Sequence, residues 1–144
     1  MPGLTVEIIT AERSVATEEA DMVIAPTTEG QIGILPRHAA LLTRLAPGVM
    51  VLKKDGSEQS LAVSGGFLEV NRNHILVLAD AAEREDEIDE ERANQARARA
   101  ENALRNAARS PDSAIRAEAA RTALRRSLAR LNVIARKRRR RPIA

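Results

Sequence analysis

Residues 77–100 read VLADAAEREDEIDEERANQARARA, and the fold turns on them. The stretch opens as an apolar strand, crosses seven acids between positions 83 and 91, and leaves as a helix of alanine and arginine. From Asp89 onward Ala93, Ala96, Ala100, Ala103 and Ala107 recur at steps of three and four, the spacing of a heptad seam. Upstream, the apolar segments are short, β-branched and separated by turn residues. The abrupt change of period is a module boundary. It predicts an α+β chain: an N-terminal antiparallel β-sandwich over 1–84, an antiparallel two-helix hairpin over 85–136, and a basic tail over 137–144.

Working back, TVEIIT (5–10) alternates apolar and polar, ADMVIAP (20–26) is stopped by its proline, and GQIGILP (30–36) is a strand between Gly30 and Pro36. Asp55-Gly56 stands between two strand-like runs, a strong hairpin signal. A second hairpin is expected around Asn71–Asn73, with VLAD (77–80) as the last strand and AAEREDE (81–87) as a polar hinge. Working forward, Pro111 ends the first helix and Asp112 or Ser113 caps the second. There Ala117, Ala120, Leu124, Leu128, Leu131 and Ile134 or Ala135 form the facing stripe. An alanine seam permits close backbone approach but buries little area, about 0.8 kcal/mol per methyl. Such a hairpin depends on what else it touches and is suited to move.

Composition narrows the function. The 144 residues are 44% hydrophobic with one Phe and no Trp, Tyr or Cys, so the core is aliphatic and thiolate metal sites and disulfides are excluded. Stacking platforms for single-stranded nucleic acid are missing as well. No apolar run reaches the roughly 20 residues of a membrane span, and MPGLTVEIIT lacks the pattern of a leader, so a soluble protein is expected. The net charge of +3 hides an asymmetry: residues 1–82 carry 6 basic and 10 acidic groups, residues 83–144 carry 17 basic and 10 acidic. The run Arg136–Arg141 is six consecutive bases, read either as a solvated, partly disordered end or as a docking element for an acidic surface. His38 and His74 have no carboxylates at ligand spacing, Ser64 lacks a nucleophile context, and the glycine pair Gly65-Gly66 leads into a strand rather than a helix. Nothing points to an enzyme acting alone. Within EIDEERA (87–93), Asp89 suits an N-cap, Ile88 a hydrophobic staple onto Ala93, and Glu90 and Glu91 the helix dipole; Arg92 stands where a capping box prefers Glu or Gln.

GQIGILPRHAALLTRLAPGVM (30–50), SGGFLEV (64–70) and ILVLADAAEREDEIDEERA (75–93), followed by an alanine-rich helical hairpin, resemble the epsilon subunit of bacterial F-type ATP synthases. The likeness runs from about Thr5 to Val133. It implies a ten-stranded β-sandwich and two antiparallel helices, in a non-catalytic rotor subunit of the central stalk that couples the gamma subunit to the c-subunit ring. On that likeness the loop 29–42, with Gln31 and His38, faces the ring. The hairpin permits turnover when folded against the sandwich and inhibits ATP hydrolysis when extended. Arg125, Arg126, Arg130 and the run 136–141 then meet an acidic segment of the catalytic beta subunit. Ile88, Asp89, Arg92 and Ala93 match the family motif (I/L)DxxRA for ATP, held in the folded-down state, with Glu83, Arg99 and Arg126 at matching positions. A further family arginine falls on Ala119, or on Arg116 if a gap intervenes. No cofactor is required on this reading; ATP is a regulatory ligand. The protein would sit peripherally, through its complex, on the cytoplasmic face of the bacterial inner membrane. The alternative is a basic nucleic-acid-binding protein using the arginine tail, against which the missing aromatics and acidic first half weigh.

Overall fold

The computed structural model describes residues 3–109 and 111–140. Eight strands precede two helices: β1 Leu4–Ile9, β2 Ser14–Ala20, β3 Met22–Thr27, β4 Gly30–Ile34, β5 Leu41–Arg44, β6 Gly48–Lys54, β7 Ser57–Asn71 and β8 His74–Arg84, then α1 Glu90–Ala107 and α2 Ser113–Arg140. A 3-10 turn, Glu85–Glu87, links β8 to α1.

Two long strands make the sandwich. The first half of β7 pairs with β6 and its second half with β5, while β8 runs antiparallel to β7 along its length. The change of layer falls at Gly65 and Gly66, whose φ values of 66° and 103° lie in the left-handed region. Only glycine fits there: a Cβ on Gly66 would stand 2.0 Å from the Leu78 carbonyl oxygen. One layer is β2, β1, the first half of β8, the second half of β7, and β5. The other is the second half of β8, the first half of β7, β6, β3 and β4. Counting the halves of β7 and β8 separately recovers the ten segments that the resemblance implies. Their inner faces interdigitate through Leu4, Val6, Ile8, Leu68, Ile75 and Val77 from the first layer and Val23, Ile34, Met50, Leu61 and Val63 from the second.

Three sequence readings shift. One pairing is parallel, β1 with β8 from Thr5↔His74 to Ile9↔Leu78, because alternation sets which side chains face inward but not the direction of a neighbour. Strand β3 continues past the expected stop at Pro26, whose carbonyl accepts from the Ala46 amide at 3.1 Å. Strand β8 runs beyond Asp80 to Arg84, since Ala79 and Ala82 still have core places, so the expected hinge contracts to Glu85–Asp89. Both hairpins form with two-residue left-handed turns, Asp55-Gly56 and Arg72-Asn73.

The hairpin lies against the sandwich. Antiparallel packing is visible at both ends: Ala107 and Ala120 border one groove at the tip, and Arg138 pairs with Glu90 at the base. Asp112 accepts the Arg116 amide through its backbone carbonyl at 3.1 Å, the N-cap place of α2. Ala93, Ala100 and Ala107 are buried seven residues apart, but Ala103 is exposed on a groove between the helices. Helix α2 buries Ala120, Ser127, Ala129 and Val133, whereas Leu128 from the expected stripe is 47% exposed. A single stripe fails because α2 has two neighbours: Ser127 borders the groove with α1, and Ala129 and Val133 pack on Ala62 and Val49 of the sandwich. The sheet face beneath is built from small residues, Ser60, Ala62 and Ser64 on β7, which lets the helix approach closely. Through Arg140 the basic run continues α2 rather than ending irregularly, with Arg138, Arg139 and Arg140 exposed, while Arg141 and residues 142–144 lie outside the described residues.

Candidate functional site

The start of α1 fixes the first part of the site. Asp89 has extended backbone and its carboxylate accepts the Arg92 amide at 3.0 Å, so it is the N-cap. That spends Arg92's amide but leaves its side chain exposed, pointing into a cavity of about 360 Å³ with Glu83, Glu87, Asp89, Ala93, Ala96, Arg99 and Arg130. Ala93 is 1% exposed and forms a flat wall; a longer side chain would fill the space. Ile88 is turned the other way, into the apolar cluster of Ala62, Ala129 and Val133, where it pins the hinge to the sandwich and α2.

Helix α2 supplies the second part. Arg130 donates from Nε to Glu83 Oε1 at 2.6 Å, and Arg126 donates from Nε to Ser64 Oγ. Both contacts cross from the hairpin to the sandwich. A groove of about 650 Å³ continues from the cavity between the helices, and the two share Ala96, Arg99 and Arg130. Arg99, Arg116, Arg126 and Arg130 line it, with alanines for walls and no carboxylate. The site is thus graded: three acids and three arginines border the cavity, and cations alone carry charge in the groove. Such a groove draws polyanions, and guanidinium forks suit phosphate oxygens.

Of the residues singled out from the sequence, Glu83, Asp89, Arg92, Ala93 and Arg99 share the cavity, Arg126 borders the adjoining groove, and Ile88 stands outside both. Arg130, expected to meet a partner, joins Glu83 inside the site. Arg116 and Ala119, the two positions open for the further arginine, both border the groove, with Arg116 one turn before Ala119. Glu87, Ala96 and Ser127 were missed; the steps 116, 119, 123, 126, 130 on α2 are the helical signal that would have grouped this face.

Glu87 steadies the hinge. It accepts from Arg84 Nε at 2.9 Å and from Arg13 of the β1–β2 turn. Burial works to raise its carboxyl, but the hydrogen bonds from Arg13 and Arg84 and the charge of Arg13 outweigh burial and hold it below its ordinary value.

Arg125 lies on a different side of α2, in a shallow groove with Gln31, Leu128 and Asn132. His38 does not border that groove; its Nδ1 stands 2.8 Å from the Ala39 carbonyl, in the loop between the exposed Leu35 and Leu42. On the outer face of the first layer, Arg44, Phe67, Leu78 and Ile9 form one cross-strand row. Phe67 is 46% and Leu78 48% exposed, with the Arg44 guanidinium 5.7 Å from the Phe67 ring centroid. No helix among the described residues is long and apolar enough to cross a membrane, and no His/Cys/Asp/Glu group there is arranged for a metal.

Two family models cover nearly the whole chain: the beta-sandwich domain of the ATP synthase Delta/Epsilon chain matches residues 3–85, and its long alpha-helix domain matches residues 86–135. The ATP synthase epsilon chain of Herpetosiphon aurantiacus is 54% identical over 130 residues, covering 90% of this chain and 93% of its own. That of Moorella thermoacetica is 51% identical over 132 residues, covering 91% and 96%. That of Dehalococcoides mccartyi is 48% identical over 142 residues, covering 99% of each. The fold superposes on a chain in the OSCP/F1/c-ring assembly of Euglena gracilis mitochondrial ATP synthase with a TM-score of 0.75 at 24% identity, covering 94% of this chain and 83% of that one. With both modules matched in order and half the residues shared with full-length relatives, the chain belongs to the ATP synthase delta/epsilon family as an epsilon chain, a non-catalytic subunit of that complex.

Proposed function

We propose that the protein is the central-stalk epsilon subunit whose hairpin reports nucleotide to the rotor. One observation carries the reading: the cavity and groove take residues from three elements at once, Glu83 from β8, Arg92 and Arg99 from α1, Arg126 and Arg130 from α2. The site is complete only while the hairpin is folded on the sandwich. A ligand that prefers this composite site stabilises the folded-down state by its differential affinity. ATP fits the gradient of charge. Its phosphates suit the carboxylate-free groove of Arg99, Arg116, Arg126 and Arg130, and its base and ribose suit the cavity over Ala93, where Glu83 and Asp89 offer acceptors.

The sandwich supplies the stalk contacts. The row Phe67, Leu78 and Ile9 with Arg44 is an exposed apolar strip with a cation at its edge, suited to dock the gamma subunit; Leu35, His38 and Leu42 form the loop offered to the c-subunit ring. Membrane association then comes through that complex, on the cytoplasmic face. Nucleic acid is not a partner on this reading, because Arg136, Arg138 and Arg140 of the basic run are paired with the chain's own carboxylates. When the hairpin extends, Arg125, Arg126, Arg130 and the basic end of α2 become available to an acidic segment of the catalytic beta subunit and restrain ATP hydrolysis.

Calorimetric titration of the full chain with ATP tests the nucleotide reading, with Asp89→Ala and Arg92→Ala as controls. Saturable heat that the variants lose is expected; no heat at millimolar ATP overturns it. For regulation, the ATPase rate of the assembled complex should rise on deleting residues 88–144, and equal rates would remove the hairpin's role.

A further inference from the structure

The last turns of α2 sit in a corner formed by three elements. Arg136 reaches Glu58 of β7 at 3.3 Å, Arg138 pairs with Glu90 of α1, and Arg140 pairs with Glu85 of the 3-10 turn and stands 4.0 Å from Glu58. Positions 136 and 140 lie on one helical face, toward the sandwich and hinge, and 138 on the other, toward the start of α1. The base of the hairpin is therefore bracketed on both sides by ion pairs. They are not equally wet: Arg136 and Arg140 retain 30% and 29% side-chain exposure and Arg138 retains 64%, so the two sandwich-side contacts are screened less.

The apolar hold beneath is slight. Among the described residues, the cluster packed between α2 and the sheet is Ala62, Ala129 and Val133, with Val49 and Ile88 at the edge. A contact of that size leaves the docking equilibrium open to a few charges.

We propose that Arg136, Arg138 and Arg140 form an ionic latch that keeps α2 in its folded-down place, against the sandwich and hinge through Glu58 and Glu85 and against the start of α1 through Glu90. Lifting α2 from the sandwich and from α1 breaks all three pairs and releases the same cations toward solvent, so the folded-down state weakens as ionic strength rises. The latch rests on contacts within this chain and holds whether or not nucleotide binds.

The chain has no native thiol, so the one introduced by Val133→Cys reports opening directly: Val133 is fully buried on the sandwich side of α2 and is reached by a thiol reagent only when the helix lifts. In the full chain carrying it, Glu58→Gln, Glu85→Gln and Glu90→Gln together are expected to speed modification about tenfold, the combined effect of three partly exposed pairs. High salt should speed the parent similarly and the triple variant much less, by the share of the remaining Arg130–Glu83 pair. The exchanged pair Arg140→Glu with Glu85→Arg should restore slow modification relative to Arg140→Glu alone, which keeps the test decisive if neutralisation disturbs the fold. Equal rates in parent and triple variant, a salt response as large in the triple variant as in the parent, or no recovery in the exchanged pair would each overturn the latch.

Discussion

Arg130 Nε and Glu83 Oε1 stand 2.6 Å apart, joining α2 to the end of β8 across the mouth of the cavity. Each side chain keeps about a third of its exposure, 33% and 29%, so screening limits the pair to about 0.5–1 kcal/mol of coupling. A double-mutant cycle with Arg130→Ala and Glu83→Gln, read by chemical denaturation, should recover that coupling. Additive effects would mean that the pair does not tie the two modules together.

The arginines of the groove should matter to ATP in proportion to the charge-assisted bonds they offer. Removing one such donor costs about 1.5–3 kcal/mol, so Arg99→Ala, Arg116→Ala and Arg126→Ala are each expected to weaken ATP binding roughly 10- to 100-fold. Arg125→Ala is the contrast, since Arg125 borders the groove with Gln31 on another side of the helix. Titration of the four variants checks this. A loss from Arg125→Ala as large as that from Arg126→Ala would move the site elsewhere.

The sequence showed the two modules because period is local: alternation ends near Ala82 and the three-four step begins at Ala93. It showed Asp89 as a cap for the same reason, since a cap needs only its own next three residues. What stayed hidden was set by distant neighbours. Leu128 looked like a seam residue until α2 proved to face a sheet as well as a helix. Arg136, Arg138 and Arg140 looked like part of a free end because the acids they donate to, Glu58, Glu90 and Glu85, stand 48 to 78 residues away in the chain. The pairing of Glu83 with Arg130 is invisible for the same reason, although both residues had been singled out separately.

Gly66 gives a sharp test of the layer change in β7. Its φ of 103° already disfavours an L side chain, and a Cβ there would meet the Leu78 carbonyl oxygen at 2.0 Å and Ala79 Cα at 2.8 Å. Both are backbone atoms, so relief requires β7 and β8 to separate. Gly66→Ala is expected to cost about 3 kcal/mol or more. Gly56→Ala is the control: φ is 79°, but nothing lies within 4 Å, so only the conformational cost of about 1 kcal/mol applies. Denaturant midpoints of the two variants should differ accordingly, and equal losses would show that the clash is relieved without strand separation.

Acid should loosen the hinge through Glu87. Burial opposes its charge, yet Arg13 and Arg84 prevail and its carboxyl lies below the ordinary 4.5. A carboxyl lowered on folding stabilises the native state fully above its unfolded value, and that contribution disappears as pH falls through the lower folded value. The window is therefore below 4.5, and neutral pH should show no change from this group. Unfolding free energy measured between about pH 6 and pH 3 should fall less steeply at its acid end in Glu87→Gln than in the parent. At neutral pH the variant should already lack part of the stability, because Arg13 and Arg84 have lost their anionic partner. Parallel acid limbs for the two proteins would place the Arg13–Glu87–Arg84 cluster outside the forces that hold the hinge.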